Sequence, residues 1–387
     1  MRIAVIGAGA AGLLFSLLIK RRFPEWRVEA FEQNPEGATY GFGVVFSDGA
    51  LAFLERDEPE LSRTIEAAMK RWPVQRIVHR DEQVEVDGNG FSAIGRLALQ
   101  EVLQDLCRGA GVELRYGRAI MSLDEVAGAD LVVGADGSNS LVRETLAAQF
   151  LPAVELLTNR FAWYGTAQPF ECLTLTFRVG EHGAFVAHHY PHSASMSTFV
   201  VECGEKAWRR AGLDRMNDAE SRGYCERVFA PDLGGRSLVS NKSVWRRFPL
   251  VRNERWTARR PNSGHAVLLG DALRTVHFSI GSGTRLAFED AIALERAFAA
   301  CGQDVPRALA SFERERRPIV EKLLAAANAS SYWYEQFPDK MALEPWQLAY
   351  DYMTRSGRMT EDRLRGQAPK FMARVDAERR GKGRGAA

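Results

Sequence analysis

The sequence lacks several features that mark specialised classes of protein. It has no apolar run approaching the roughly 18 residues of a membrane-spanning helix. Its five cysteines show no CxxC spacing, so we expect no disulfide framework and no metal site, but free thiols in a cytoplasmic environment. Neither charge sign dominates, since 51 Lys and Arg balance 49 Asp and Glu, which argues against a nucleic-acid-binding protein. What remains is an ordinary globular composition.

The order of the secondary-structure signals predicts an α/β fold. A strand, a glycine turn, an apolar helix and a second strand open the chain, which is the βαβ order of parallel strands. From about residue 160 alternating β-branched segments indicate a mixed or antiparallel sheet. The first pattern then returns. The predicted strands are 2–6, 27–31, 112–116, 130–133 and 266–269, and the predicted helices are 10–19, 97–109, 285–300 and 306–334.

A glycine motif follows the first strand. Gly7, Gly9 and Gly12 form GxGxxG at the start of the first helix. Gly7 permits a tight turn, Gly9 lets the backbone approach a pyrophosphate, and Gly12 lets helix and strand pack closely. Glu32 ends the second strand, where a carboxylate can accept hydrogen bonds from ribose hydroxyl groups. The motif therefore predicts a dinucleotide site, without separating FAD from NAD.

Two later segments carry a resemblance to a known family. Residues 130–143 (DLVVGADGSNSLVR) and 268–272 (LLGDA) resemble the DG and GD signatures of the aromatic-ring hydroxylases that share the p-hydroxybenzoate hydroxylase fold. The resemblance implies tightly bound, non-covalent FAD. It also implies an α/β fold, in which a Rossmann-like FAD-binding domain carries an inserted mixed β-sheet substrate domain and C-terminal helices.

The resemblance also implies roles for individual residues. Asp271 is expected to bind the ribityl chain, Arg96 to lie near the phosphates, and the glycine-rich turn at 281–284 to meet the flavin ring. Taken alone, Asp271 is equally readable as a helix N-cap, Asp136 as a turn carboxylate and Arg96 as a surface arginine. The predicted cofactor residues are Gly7, Gly9, Ala11, Gly12, Glu32, Gln33, Val44, Arg96, Asp136, Gly137, Gly270, Asp271, Gly281, Gly283 and Thr284.

Further segments indicate a branch of this family. Residues 41–48, 248–256 and 277–284 resemble the salicylyl-CoA 5-hydroxylase and 2-aminobenzoyl-CoA monooxygenase branch, and residues 163–166 and 196–203 resemble the tryptophan-derivative hydroxylase of violacein biosynthesis. The chain departs from the wider family at Ser279, where a proline is usual, and at Thr284, where an asparagine is usual. It also departs at residues 273–274, where relatives more often have Ala-His.

The resemblance implies a hydroxylation mechanism. NADH or NADPH, bound transiently, reduces FAD, O2 adds at the flavin C4a carbon, and one oxygen atom passes to an electron-rich ring. A histidine could accept a phenol or aniline proton, and the predicted catalytic residues are His277, His188 and Tyr164. His189 and Tyr190 are further candidates, but neighbouring strand residues point to opposite faces, so His188 and His189 cannot both face the pocket.

An aryl-CoA such as salicylyl-CoA is the expected substrate, and a tryptophan-derived intermediate is the alternative. Guanidinium groups suit phosphates, so arginines 246, 247, 252, 255, 259 and 260 are a candidate CoA surface, with a solvated charged hairpin as the other interpretation. A flavin reductase and a non-catalytic FAD-binding module are weaker alternatives, and a monomer or homodimer is expected.

The chain is predicted to divide into domains as follows. Segments 1–72, 95–155 and 263–335 form the FAD-binding domain, and segments 73–94 and 156–262 form the substrate domain. Residues 336–387 form an extension, with a tail that is disordered from residue 381.

Overall fold

The computed structural model describes residues 1–261 and 264–385. Its strands, in chain order, are β1 (Arg2–Ile6), β2 (Arg27–Phe31), β3 (Gly43–Ser47), β4 (Lys70–His79), β5 (Glu82–Gly95), β6 (Glu113–Arg115), β7 (Leu131–Gly134), β8 (Pro152–Thr166), β9 (Leu173–Gly180), β10 (Gly183–Pro191), β11 (Ser197–Cys203), β12 (Leu238–Ser240), β13 (Arg246–Asn253), β14 (Thr257–Arg259) and β15 (His265–Leu268).

The helices surround these strands. They are α1 (Ala10–Arg22), α2 (Ala52–Asp57), α3 (Pro59–Ala67), α4 (Arg96–Ala110), α5 (Leu141–Thr145), α6 (Ala147–Phe150), α7 (Glu205–Arg210), α8 (Asp218–Val228), α9 (Ala230–Leu233), α10 (Gly270–Leu273), α11 (Gly283–Cys301), α12 (Val305–Glu335), α13 (Pro345–Thr354), α14 (Glu361–Gln367) and α15 (Pro369–Gly385). Short 3-10 turns occupy Leu123–Val126, Phe278–Ile280 and Phe337–Ala342.

The first sheet has the strand order β14-β15-β7-β1-β2-β6. All of its pairs are parallel except the edge pair β14 and β15. The central strands are buried and apolar after their first residue, as in β1 after Arg2 and β15 after His265. Helices α1, α4 and α11 pack against them in one hydrophobic core. The strands predicted near residues 2, 27, 113, 131 and 266 are confirmed, and together they form this sheet.

The second sheet is larger and mixed, with the order β12-β8-β11-β10-β9-β4-β5-β3 and with β13 paired to β8. The predicted mixed sheet after residue 160 is therefore confirmed. Helices α7–α9 pack on one face and the chain from the end of α12 through α15 packs on the other. Strand β3 also belongs to this sheet, although it lies within the segment 1–72 that we assigned to the nucleotide-binding part.

The C-terminal extension is folded. Buried Phe371, Met372 and Val375 anchor α15 in the core beneath β4 and β5, and the helix continues to Gly385. The disordered tail predicted from residue 381 is therefore wrong over residues 381–385, because a helix that is already anchored extends into them. The remaining part of that prediction, residues 386–387, lies outside the described residues.

Candidate active site

A cavity of about 1080 Å3 lies where the two sheets meet. One wall is formed by the turns after β1, β7 and β15, which are neighbours in the first sheet. Because these strands are parallel, their carboxyl ends meet at one edge, where nucleotide sites form in open α/β sheets. The opposite wall comes from β3, β8, β10 and β13 and from residues near the end of α13. A second cavity of about 190 Å3 shares residues with the first, so the two form one elongated site.

The turn after β1 contains two kinds of glycine. A Cβ on Gly7, which has a φ of +100°, would overlap the carbonyl group of Ala135, and a Cβ on Gly12 would overlap the carbonyl oxygen of Gly7. These two glycines allow the turn to form. Gly9 lines both cavities, and no atom lies within 4 Å of the place where its Cβ would stand. Its backbone is therefore open to the approach of a ligand.

Glu32 lies at the smaller cavity. Its carboxylate accepts hydrogen bonds from the backbone N–H of Ala8, at 3.1 Å, and from the backbone N–H of Asn34, at 2.9 Å. These bonds fix the side chain at the end of β2, where a ribose hydroxyl can reach its remaining lone pairs. Gln33 is exposed and is not among the residues that line either cavity in the described part of the chain. The structure therefore does not bring Gln33 to the site.

Arg96 and Asp271 both line the larger cavity, where Arg96 is half-buried and the Asp271 side chain is open to the cavity space. Arg96 donates a hydrogen bond of 2.9 Å to the carbonyl oxygen of Tyr40 and lies 5.5 Å above the Trp163 ring. Burial raises the pKa of Asp271, while the positive charges of Arg96 and Arg274 oppose that rise. The site therefore holds a cation for a phosphate group and an acceptor for sugar-like hydroxyl groups, about where both were predicted.

Asp136 does not face the cavity. Its Oδ2 atom accepts a hydrogen bond of 3.2 Å from the backbone N–H of Val142, and burial raises its pKa. The carboxylate caps the turn that leads into α5, which is the structural interpretation considered above, and Asp136 is not among the described residues that line the cavity. Its role as a cofactor contact stays a prediction. The adjacent Gly137 does line the cavity.

Two buried arginines hold the turns after β7 and β15. The Arg143 guanidinium donates to the carbonyl oxygen of Ser138, at 2.6 Å, and to that of Ala272, at 3.2 Å, and so joins the two turns. Arg274 forms a 2.8 Å ion pair with Asp290 of α11. In the sequence, Arg274 is notable only because relatives more often have Ala-His at residues 273–274. In the structure its role is to attach the turn after β15 to α11.

The glycine-rich turn meets β3. Gly281 has a φ of +58°, and a Cβ on it would stand 3.2 Å from the carbonyl oxygen of Val45. Helix α11 begins at Gly283, with Gly283 and Thr284 in the cavity wall, so its positive dipole end points into the site. The predicted residues Val44, Ala11 and Gly270 also line the larger cavity. The glycine turn, Glu32, Arg96, Asp271 and this helix end provide suitable groups for the ribose, pyrophosphate, ribityl chain and ring of FAD.

The half of the cavity beyond the first sheet is aromatic. Phe161 and Trp163 of β8, Tyr190 of β10 and Phe278 line it, and His188 lies among them. The Nε2 atom of His188 lies 3.3 Å from a carboxylate oxygen of Glu202, and both residues are at most 5% exposed. Burial lowers the pKa of His188 to about 3 and raises the pKa of Glu202.

His277 lies behind the cavity wall. Its ring is 4.8 Å from that of Phe248 and 5.9 Å from that of Tyr334, and it is 2% exposed. Burial lowers its pKa to about 4, and the Glu202 charge opposes that effect. Its neighbours in sequence, Val276 and Phe278, line the cavity. His277 is therefore not among the described residues that line the cavity, and its Nδ1 atom accepts a hydrogen bond from the backbone N–H of Ser279, at 3.4 Å.

Tyr164 and His189 point away from the cavity. Alternate residues of a strand share a face, so Phe161 and Trp163 face the cavity, whereas Tyr164 lies in the core under α8, 3.2 Å from the Ser221 hydroxyl oxygen. The prediction of Tyr164 as a catalytic residue is wrong for this reason. On β10 the same alternation directs His188 to the cavity. His189 points to the other face, where its Nε2 atom lies 2.9 Å from the Thr176 hydroxyl oxygen.

Arginines dominate the charge of the larger cavity. Among the lining residues in the described ranges, Asp271 is the only carboxylate and six side chains are arginines: Arg96, Arg246, Arg247, Arg355, Arg358 and Arg363. Only two of them, Arg246 and Arg247, belong to the predicted arginine cluster. Arg260 of that cluster is instead buried, donating to the carbonyl oxygens of Ala129 and Val126.

Sequence reasoning missed the contribution of Glu202 and of the extension after residue 335. Glu202 was read as part of an ordinary strand, although a carboxylate that shares a strand face with buried apolar residues is itself a signal. Tyr352, Met353 and Met359 also reach the cavity. They come from a segment with no motif, so only the folded chain shows that they belong to the site.

Comparisons with known proteins agree with this site. Residues 123–327 match the family model described as an FAD binding domain. A salicyloyl-CoA 5-hydroxylase from a Streptomyces species is 38% identical, covering 97% of this chain and 73% of its own. The protodeoxyviolaceinate monooxygenase of Chromobacterium violaceum is 34% identical, with 92% and 94% covered. A 3-hydroxy-4-methyl-anthranilyl-(aryl-carrier protein) 5-monooxygenase from Streptosporangium sibiricum is 33% identical, with 93% and 95% covered.

The fold is also found in solved structures. The crystal structure of 2-methyl-3-hydroxypyridine-5-carboxylic acid oxygenase matches with a TM-score of 0.68 over 95% of this chain and 96% of its own, at 15% identity. The family and branch predicted from the sequence motifs are thus confirmed, together with FAD as the cofactor. The chain belongs to the FAD-dependent aromatic monooxygenases.

Proposed function

We propose that this enzyme hydroxylates the ring of an aromatic acid that is presented as a thioester, with salicylyl-CoA as the first substrate to test. Bound FAD supplies the activation of O2 after reduction by NADH or NADPH. The observation that carries the proposal is the cavity lining, in which six arginines face one aspartate. A free aromatic acid brings a single negative charge, whereas a CoA thioester brings several phosphate charges that guanidinium groups bind well.

The aromatic half of the cavity suits the ring of such a substrate. Phe161, Trp163 and Phe278 provide flat apolar surfaces close to His188. Aromatic side chains prefer offset or edge contacts with another ring, so they can hold a benzoyl group in one orientation. They also keep water from the ring, which protects oxygen transfer from side reactions.

His188 is the proposed base. Burial keeps its imidazole neutral at pH 7. The same burial disfavours the protonated form, so His188 can act as a base only with an opposite charge beside it. With Nε2 directed to Glu202, the Nδ1 atom is left to take the proton from the hydroxyl or amino group of the substrate. That loss makes the ring a better nucleophile. The proton can return to the product from the same atom.

Glu202 is the proposed positioning residue for His188. It accepts a 2.8 Å hydrogen bond from the Asn159 side chain, which fixes the carboxylate. When His188 becomes an imidazolium, Glu202 faces it with an opposite charge inside the protein, where the attraction is strong. Arg355 acts in the other direction, since its charge lowers the pKa of His188.

The Glu202→Gln variant tests this role. We expect kcat to fall at pH 7 and to recover as the pH rises toward the ionisation of the substrate's own hydroxyl group, because ionised substrate needs no base. A loss of kcat that is equal at every pH would show that Glu202 has only a structural role.

The substrate proposal is tested by comparing salicylyl-CoA with free salicylate. The measurements are NAD(P)H oxidation, O2 consumption and the mass of the product. We expect a gain of one oxygen atom on the thioester and a much lower kcat/KM for the free acid. Equal turnover of the two would remove the basis for a thioester substrate.

A tryptophan-derived intermediate is the second candidate. The 34% identity to protodeoxyviolaceinate monooxygenase over 94% of that protein favours it. If indole substrates are hydroxylated in the same assay and the thioester is not, this candidate is the correct one.

We also propose the cytoplasm as the location, since the described cysteines are all free. No helix in the described residues is long and apolar enough to cross a membrane. The division into FAD-binding segments 1–72, 95–155 and 263–335, substrate segments 73–94 and 156–262, and an extension from 336 stays a proposal, which limited proteolysis can test.

A further inference from the structure

The six cavity arginines are not equivalent. Arg96 lies with Asp271 in the half assigned to FAD. Arg247 donates to the carbonyl oxygens of Leu157, at 2.7 Å, and Leu156, at 2.8 Å. Arg355 donates through all three nitrogen atoms, to the Ser330 hydroxyl and to the carbonyl oxygens of residues 352 and 279. The guanidinium groups of Arg247 and Arg355 are therefore largely committed to the protein.

Arg246, Arg358 and Arg363 differ from these. All three are exposed, and within residues 1–261 and 264–385 the structure gives none of them an ion pair. Their one recorded side-chain hydrogen bond runs from Arg363 to the carbonyl oxygen of Arg358, at 3.1 Å. That bond ties the Arg363 side chain to the backbone at Arg358, so the two residues belong to one part of the cavity wall.

Other arginines of the same region are paired. Arg365 lies two residues after Arg363 and forms 2.6 Å ion pairs with Glu361 and Asp376. Arg374 pairs with Glu82 across the interface between α15 and β5. Glu361, Asp376 and Glu82 thus pair with arginines outside the cavity lining. Arg358 and Arg363 line the cavity, and neither has an ion pair among the described residues.

The unpaired arginines occupy two walls. Arg246 lies in β13, opposite Phe161 in β8, and belongs to the second sheet. Arg358 lies between α13 and α14, and Arg363 lies in the first turn of α14, both in the C-terminal extension. Both walls line one cavity whose other lining residues include Phe161 and His188. An anionic group held between these walls would leave the rest of the same molecule free to extend to the aromatic half.

We propose that Arg246 on one wall, with Arg358 and Arg363 on the other, form a phosphate-binding mouth that grips the phosphopantetheine end of an aryl thioester. This proposal rests on the proposed function, and it names which part of the substrate the mouth recognises. Guanidinium groups bind phosphate oxygens through paired N–H donors. The phosphate can come from CoA or from a carrier protein, since both attach the acyl group through phosphopantetheine.

Four thioesters of one aromatic acid separate these sources. They are the thioesters of CoA, dephospho-CoA, 4′-phosphopantetheine and pantetheine, assayed with the FAD-loaded enzyme. We expect KM to rise at least tenfold when the last phosphate is removed, between 4′-phosphopantetheine and pantetheine. An equal KM for CoA and 4′-phosphopantetheine favours a carrier-protein source, and a lower KM for CoA favours CoA. Equal KM values for all four would overturn the proposal.

Variants identify the residues. In the double variant Arg358→Ala/Arg363→Ala, and separately in Arg246→Ala, the ratio of the pantetheine KM to the phosphopantetheine KM should fall toward one. The salt dependence of that ratio should weaken as well. Arg314→Ala is the matched control, because Arg314 is an exposed arginine paired with Glu315 outside the cavity, and it should keep the parent ratio. If both mouth variants keep the KM ratio of the unsubstituted enzyme, these arginines do not bind the phosphate.

A binding measurement separates this proposal from the proposed function. CoA is titrated into the FAD-loaded enzyme by calorimetry, without any aromatic group. Binding that is lost in Arg358→Ala/Arg363→Ala supports the mouth even if no aryl thioester is hydroxylated. Hydroxylation of the pantetheine thioester, with no binding of CoA and no effect of the phosphate, would overturn the mouth and leave the proposed function standing.

Discussion

The two ends of the active-site cavity are built by different means. The FAD end is made mostly of backbone: the glycine turn after β1, the turns after β7 and β15 and the first residues of α11. The substrate end is made of side chains that come from β8, β10, β13 and the extension after α12. Backbone groups are held by the sheet itself, while side chains can be exchanged singly. We therefore expect the FAD end to be damaged most by substitutions that add side-chain volume. The substrate end should be damaged most by substitutions that remove a functional group.

The largest expected effect concerns Gly12. A Cβ on Gly12 would overlap the carbonyl oxygen of Gly7, and backbone cannot move aside cheaply. We expect Gly12→Val to yield protein that is unfolded or free of FAD, as measured by circular dichroism and flavin absorbance.

Gly9→Ala is the matched control for this end. No atom lies within 4 Å of its added Cβ, so this variant should fold and melt like the parent while FAD affinity falls, because the Cβ occupies the space left for the cofactor. A folded Gly12→Val enzyme with normal FAD content would contradict the contrast between the two ends.

The second effect concerns His188 at the substrate end. We expect His188→Ala to retain FAD and to lose about 10²- to 10⁴-fold in kcat, the usual contribution of a general base. Tyr164→Phe, on the opposite face of β8, should keep the parent kcat. An equal loss of kcat in the two variants would mean that a side chain's position in the cavity wall does not determine whether it contributes to catalysis.

A smaller effect is expected for Asp271. Its side chain opens to the cavity, so Asp271→Ala should remove one or two hydrogen bonds to the ribityl chain, each worth roughly 1 kcal/mol. FAD should then dissociate during purification and bind again when supplied in excess, as a fluorescence titration would measure. Full retention of the cofactor would contradict the role of Asp271.

The last effect concerns stability rather than activity, and it is a pH dependence. Burial lowers the pKa of His189 to about 3, so below its unfolded value of about 6.5 the unfolded chain takes up a proton that the folded chain does not. Stability should therefore fall as the pH drops from 6.5 toward 4, by up to about 1.4 kcal/mol per unit for this residue. Glu202, with a raised pKa, works in the opposite direction.

The His189→Phe variant checks this prediction, because His189 lies outside the cavity. The slope of the urea midpoint against pH should be smaller in the variant than in the parent. The same slope in both would show that the acid sensitivity arises elsewhere.

The FAD end could be predicted because its determinants are local. The turn at Gly7, Gly9 and Gly12 needs only a strand before it and a helix after it, and both are visible as apolar runs. Asp271 and Asp136 were singled out because the segments around them resemble the GD and DG signatures of the family. A carboxylate at a strand end can bind its own turn as well as a ligand, and for Asp136 only the packed turn shows the bond to Val142.

The substrate end could be predicted only in part. Strand alternation separates His188 from His189, but it does not say which one faces the cavity, and it was not applied to Tyr164. The pairing of Glu202 with His188 depends on the register of β10 and β11. Arg358 and Arg363 are brought to the mouth by the packing of α13 and α15 on β4 and β5, which no local pattern records.

The buried anchoring of α13–α15 has a consequence for how the enzyme is made. During synthesis every backbone turn of the FAD end is complete once α11, which ends at Cys301, has emerged. One wall of the substrate mouth does not exist until the chain has been made as far as Arg363. A nascent or truncated chain ending near residue 335 would therefore be able to take up flavin while lacking the groups that grip its substrate.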